Sequence, residues 1–329
     1  MRRRDLLAGL LATTTATALR AAEPNRVYRL AVCIPKSDPL ANFFGTSFFA
    51  RLQRLGYGEG KNLIVDRFDF GAARTEQYAE IARNMVQARP DVIALGLNHQ
   101  LVEQVAKATS DIPIAALIGS IDAGFVRNIS RPEGNITGIL FDAGIEMQGK
   151  HLELLRQAVP AASRIAYLSN RYDWEGAWGR AVREAARQSG ISIMGISVDN
   201  SAGKDEYQRA FEAIAQQSVE ALMFNGLYPN YVHRELIAGL AQKYRLPSIC
   251  WWPDLVEKEQ VLMAYGADFP DFPERWADVV AQLLNGVKVA DIPLAQPTKF
   301  ILAINLKIAR DLGLPIPAGL LVRADKVIE

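Results

Sequence analysis

Cysteine is nearly absent from the 329 residues: only Cys33 and Cys250 occur. Each sits inside an apolar run that reads as a buried strand, and two core strands in different halves of the chain hold their sulfurs too far apart for a bridge. A disulfide framework is excluded, and two buried thiols are expected. Histidine is almost as scarce, and His99, His151 and His233 fall on separate predicted helices without metal-ligand spacing, which argues against a zinc site. Charge of one sign is also lacking: 37 basic and 36 acidic side chains leave a formal net charge of +1. No global field therefore draws in nucleic acid or a membrane surface. No Gly-x-Ser-x-Gly elbow, Walker loop or Gly-x-Gly-x-x-Gly opens any predicted helix, and Gly203-Lys204-Asp205 is not a phosphate loop. The usual signatures of an enzyme are missing, and no catalytic residue, metal or cofactor is expected.

What is there begins with Arg2, Arg3 and Arg4, an apolar run from Leu6 to Ala18, and small residues ahead of Glu23-Pro24. That order is an export signal, and the run falls short of the roughly 20 residues a spanning helix needs. Residues 1–22 are read as a signal peptide cleaved near Ala18 or near Ala21 and Ala22, and the mature protein as periplasmic. Arg3-Arg4-Asp5-Leu6-Leu7 partly resembles a twin-arginine signal, so Sec and twin-arginine export both stay open. No later apolar stretch is long enough to span a bilayer.

At 50% hydrophobic composition the chain can bury a large core, and its length suggests two lobes. From Tyr28 a short apolar run, a polar turn and a helical stripe repeat, which argues for βαβ units around parallel sheets. Strands are predicted at Tyr28 to Ile34, Leu63 to Phe68, Asp91 to Leu95 and Ile112 to Leu117. After Asn135 to Leu140 the pattern starts over. Asp91-Val92-Ile93-Ala94-Leu95-Gly96 pairs with Glu220-Ala221-Leu222-Met223-Phe224-Asn225, and Asp111-Ile112-Pro113-Ile114-Ala115 with Arg245-Leu246-Pro247-Ser248-Ile249. The expected fold is α/β, two doubly wound parallel-sheet lobes joined by hinge crossings. The late strands Val261 to Tyr265 and Phe300 to Ile304 each precede one helix and suggest chain passages between lobes. The expected division is 25–140 plus 267–298 for the first lobe and 141–266 plus 299–329 for the second.

Several stretches then carry a family resemblance. Leu55-Gly56-Tyr57-Gly58-Glu59-Gly60-Lys61-Asn62-Leu63, Arg131-Pro132-Glu133-Gly134-Asn135-Ile136-Thr137-Gly138 and Lys150-His151-Leu152-Glu153-Leu154-Leu155 are three. The longest runs from Gln296-Pro297-Thr298-Lys299-Phe300 through Ile304-Asn305-Leu306-Lys307 to Arg323-Ala324-Asp325-Lys326-Val327-Ile328-Glu329. Together they resemble the ABC transporter substrate-binding protein family that includes TrpX-like aromatic amino acid binders. The resemblance implies a type I periplasmic binding fold with three hinge crossings, no catalysis, capture of a small molecule in an interlobe cleft, and delivery to an ABC permease in the membrane. Two stretches depart from the family's pattern: Gly96-Leu97-Asn98-His99 replaces a Gly-Thr-type turn, and Glu257-Lys258-Glu259-Gln260 precedes Leu262-Met263-Ala264-Tyr265-Gly266 where Glu-Ala-Gly-Gly is usual.

In open α/β sheets a ligand sits beyond the carboxyl ends of the strands. The first-lobe strand ends carry Ser37, Gly96 with Asn98, and Ser120 with Asp122. Gly96 would permit close backbone approach, and Asn98 is a natural cap for a helix starting near His99, whose free N–H groups suit a carboxylate. The second-lobe strand ends carry Ser169-Asn170, Asn225 with Tyr228, and Trp251-Trp252, with Asp173 and Trp174 after the first. Trp252 and Tyr228 are the preferred stacking platforms for a planar ligand, whereas Trp178 is read as packing inward. Tyr265 either reaches the ligand or pins the hinge. The candidate ligand-binding set is thus Ser37, Asn98, Ser120, Asp122, Asn170, Asn225, Tyr228, Trp252 and Tyr265, in a monomer that binds no nucleic acid. A clamp of this kind could equally report its closure to a membrane receptor, and the sequence does not separate the two uses.

Overall fold

Segments such as Val92–Leu95 and Ile114–Ile118 show no polar alternation, so they are stable as strands only where helices cover both faces of their sheet. The computed structural model describes residues 26–329 except 36–38, 72, 97, 120–125, 142–143, 259–260 and 269–270, and it supplies that cover twice. The first half runs β1 (Tyr28–Cys33), α1 (Pro39–Arg54), β2 (Leu63–Phe68), α2 (Tyr78–Gln87), β3 (Val92–Leu95), α3 (His99–Ala108), β4 (Ile114–Ile118) and β5 (Ile136–Leu140). Its strands form a sheet ordered β2-β1-β3-β4-β5, parallel throughout.

The second half runs α4 (Met147–Ala158), β6 (Arg164–Ser169), α5 (Arg171–Glu175), α6 (Ala177–Gln188), β7 (Ser192–Ser197), α7 (Lys204–Gln216) and β8 (Ala221–Phe224). It continues through α8 (Tyr228–Val232), α9 (Arg234–Lys243), β9 (Ser248–Cys250), α10 (Pro253–Glu257) and β10 (Met263–Ala267). After α11 (Phe272–Leu284) come β11 (Phe300–Asn305), α12 (Leu306–Leu312), α13 (Ala318–Leu321) and β12 (Lys326–Ile328). The second sheet is ordered β12-β11-β10-β9-β8-β6-β7.

The two parallel-sheet lobes expected from the repeat are present, with one difference. β10 and β11 pair antiparallel, Ala264 opposite Ala303. The reason is the route of the chain. It leaves β10 for the first lobe, where α11 seats Trp276 against Phe48, ring centroids 4.5 Å apart, and donates its Nε1 to the Ala115 carbonyl at 3.0 Å. The return into β11 then starts from the end at which β10 stopped. A βαβ crossover within one lobe, which would have kept the strand parallel, is not made. Counting the step from β5 to α4, the chain passes between the sheets three times.

The cores follow the amphipathic stripes. Tyr78, Met85, Leu101 and Val105 from α2 and α3 close one face of the first sheet over Ala31, Cys33 and Ile93. In the second lobe Tyr207, Phe211 and Ile237 close one face, and Leu152, Leu155, Val182 and Ile308 the other. Cys33 and Cys250 are buried free thiols in separate sheets, as expected, and burial pushes the pKa of each well up.

Candidate binding site

A strand that runs into a helix through a short turn leaves its last polar residues at the sheet's carboxyl edge, and here the two edges face each other. The helix starts there are fixed by local chemistry. Asn98, extended at φ −143°, accepts from Leu101 N through its Oδ1 at 3.0 Å and caps α3. Its Nδ2 donates to the Tyr78 hydroxyl at 2.9 Å. Asn170 repeats the device at the end of β6, its Oδ1 accepting from Asp173 N at 2.8 Å. Between them lies a narrow crevice. The first lobe lines it with Asn98, His99 and Gln100, and the second with Asn170, Asp173, Asn200 and Tyr228 among others.

The two walls touch. Asn170 Nδ2 donates to Asn200 Oδ1 at 2.8 Å, and Asn200 Nδ2 donates to Gln100 Oε1 at 2.6 Å, so a chain of amides crosses from the second lobe to the first. Tyr172 donates its hydroxyl to Glu103 Oε2 at 3.4 Å, and Tyr228 meets Phe70 edge to face at 5.1 Å. Beside the pocket, Trp178 lies 6.4 Å from His99, which lines it, and 5.4 Å from Trp251, centroid to centroid. Gly119 belongs to this contact, since a Cβ there would stand 2.7 Å from His99 Nε2. Gly96 has no such role toward a ligand: an added Cβ would meet Ile34 and Leu117, both at 3.4 Å, so this glycine faces the first-lobe core.

The electrostatics of the pocket turn on one acid. Asp173 is 4% exposed, and burial pushes its pKa up to about 7. Its Oδ2 accepts from Asn225 Nδ2 at 3.2 Å. Asn225 Oδ1 accepts in turn from Asn230 Nδ2 at 2.8 Å, and Tyr207 donates to Asn230 Oδ1 at 2.9 Å. This buried series of donors fixes the carboxylate without neutralising it. Burial moves His99 the other way, down to about 4, so its imidazole is neutral near pH 7. Among the described residues no group of three or more His, Cys, Asp or Glu is arranged to hold a metal.

Of the residues singled out from sequence, Asn98, Asn170 and Tyr228 line the pocket, and Asn225 stands directly behind Asp173. Trp252 is not brought there. It packs against Tyr231 and Phe224 within the second lobe, at 5.1 and 6.1 Å, because successive residues at a strand end point to opposite sides. Its neighbour Trp251 takes the other side, stacking on His151 at 5.1 Å and approaching Trp178. Trp178, read as an inward-packing residue, is 8% exposed but sits where the lobes meet. Tyr265 stays with the hinge strand, stacked on Phe300 at 5.8 Å while its carbonyl contacts His151 Nε2 at 2.6 Å. Ser37, Ser120 and Asp122 lie outside the described residues. Sequence reasoning missed Gln100, Asn200 and the weight carried by Asp173. Asn200 follows β7, and recognising that strand's end would have found it.

Comparison with known proteins agrees with this fold. A family model described as ABC transporter substrate binding protein matches residues 32–328. The tyrosine-binding protein of Clostridioides difficile (strain R20291) is 22% identical over 272 residues, covering 78% of this chain and 73% of that protein. Among solved structures, a conserved domain protein from Vibrio cholerae superposes with a TM-score of 0.78 at 22% identity, covering 92% of this chain and 100% of that one. An ABC domain from Streptococcus pneumoniae, solved in complex with L-Trp, gives 0.77 at 21% identity with the same coverage.

Proposed function

Because the chain belongs to the ABC transporter substrate-binding protein family, we propose that it takes an aromatic amino acid between its lobes and hands it to an ABC permease. The observation that carries this reading is the pocket walled by the carboxyl ends of both sheets and bridged by the Asn170–Asn200–Gln100 amides. A small solute needs convergent donors and acceptors beside an aromatic surface, and two lobes that meet around it can exclude water by hinge closure. Tyr228 and Trp178 supply rings on the second-lobe side. The ligand class is supported by the tyrosine-binding relative and by the L-Trp-bound structural neighbour.

The protein acts as a monomeric carrier without chemistry of its own, exported after loss of residues 1–22. Family membership supports a place outside the cytoplasm, and among the described residues no helix is long and apolar enough to cross a membrane. The moving bodies are 25–140 with 267–298 and 141–266 with 299–329, a division supported by α11 packing on the first sheet and by β11 and β12 pairing in the second.

Small-angle scattering and thermal melting of the mature chain, with and without L-tyrosine or L-tryptophan, test the reading. A ligand that binds only the folded state raises the melting temperature by mass action, and closure lowers the radius of gyration. Tight binding without compaction beyond the ligand-free state, in a chain whose free form is open in solution, would sink the clamp mechanism. A shift with other solutes but neither aromatic amino acid would sink the ligand class.

A further inference from the structure

Asp173 is an expensive residue to leave where it is. A carboxylate 4% exposed, at the edge of a pocket, normally has a cationic partner. Among the described residues none is present. On its own helix Arg171 pairs with Glu175 at 2.8 Å, and Tyr172 turns to Glu103. From α6, Arg180 and Arg183 donate to the carbonyls of Glu175 and Trp174, while Arg187 pairs with Glu184. β7 carries no charged residue. Beyond it, Asp199 is held by Ser201. Across the pocket stands His99, neutral near pH 7.

The position on α5 does not explain the side chain either. Asp173 is the third residue of that helix, where a carboxylate often bonds back to the capping residue's N–H. Here the cap runs in one direction only, from Asp173 N to Asn170 Oδ1, and the carboxylate is met by Asn225. Asn225, Asn230 and Tyr207 orient the acid and leave its charge uncompensated.

We infer that Asp173 is the counter-ion for a protonated amine on the bound solute, so that the ligand's ammonium group completes a pair whose other half is already built into the second lobe. This assignment rests on the capture reading above and adds to it which residue selects for an amine. α3, ten residues long, begins on the opposite wall. A zwitterion thus meets a carboxylate from one lobe and a helix N-terminus from the other, the end that favours an anionic group. The pair also couples binding to protons. With the empty site titrating at about 7, an entering ammonium displaces the carboxyl proton to solvent, and near pH 7 about half a proton leaves per ligand.

Titration calorimetry of the mature protein with two matched pairs tests this: L-tryptophan against 3-(indol-3-yl)propionate, and L-tyrosine against 3-(4-hydroxyphenyl)propionate. Each is run at pH 7 in two buffers of different ionisation enthalpy. The amine-bearing member should bind roughly 100-fold tighter, and Asp173→Asn should erase that preference. Proton release near pH 7 that fades by pH 8.5 is expected in the wild type, and it tests the assignment even if the variant folds poorly. Equal binding within a pair, a preference that survives Asp173→Asn, or heats independent of buffer would overturn the assignment while leaving capture intact. Binding of no member of either pair would overturn the aromatic reading and this assignment with it.

Discussion

Asp173→Asn should make the ligand-free protein more stable, and the gain should depend on pH. In the unfolded chain the carboxyl titrates near 3.8, and in the folded chain at about 7. Below about pH 4 both states hold the proton and the residue is neutral to folding. As pH rises the unfolded chain ionises first, while the folded chain must keep a proton or bury a charge. Stability is therefore lost progressively between about pH 4 and pH 7 and is flat above. The gap from 3.8 to about 7, at 1.36 kcal/mol per pH unit, sets a ceiling of about 4 kcal/mol. Relaxation and water entry at the pocket reduce buried-charge costs, so about 2 kcal/mol is the working figure. At roughly 2 °C per kcal/mol for a chain of this size, Asn should raise the midpoint by about 4 °C at pH 8. The asparagine still offers an oxygen to Asn225 Nδ2, so that bond survives, while its own amide N–H groups are new donors that take back part of the gain. Thermal melts of both proteins without ligand, at pH 5 and pH 8, measure the effect. The advantage should be larger at pH 8 than at pH 5. A difference independent of pH, or an asparagine variant less stable at pH 8, would refute the reasoning, because either requires a neutralised carboxylate in the folded chain.

Three further outcomes follow from the geometry. Asn98→Ala removes the α3 cap and the bond to Tyr78, and urea denaturation should show a loss of about 1 kcal/mol; an unchanged midpoint would mean that water replaces the cap at no cost. Trp178→Ala should weaken L-tryptophan binding more than Trp252→Ala, whose effect should instead be a stability loss of roughly 3–5 kcal/mol in the second-lobe core. The reverse order in calorimetry would return Trp252 to the cleft. Neither Cys33 nor Cys250 should react with Ellman's reagent in the native protein, since burial disfavours both thiolates, and both should react in guanidinium.

The strands were legible because parallel strands covered on both faces are apolar along their whole length, as Val92–Leu95 and Ala221–Phe224 are. β7 escaped for the opposite reason: Ser192, Gly195 and Ser197 interrupt an edge strand that is only half-buried, leaving no apolar run to read. Asn98 was legible as a cap because capping is a matter of neighbouring residues. Trp252 was read toward the cleft because the side it faces depends on how the chain turns at the end of β9 into Pro253, which no local pattern reveals. The contacts that make the site are of another order. Gln100 and Asn200 meet across 100 residues, and Asn225 reaches Asp173 across 52. In sequence, Asp173 reads as an ordinary helix-start acid between two aromatic residues, Tyr172 and Trp174. It becomes a buried charge when β8 brings Asn225 behind it. A residue whose chemistry is made by contacts across 52 residues of chain carries no local mark of it, which is why the pocket has to be read from the fold.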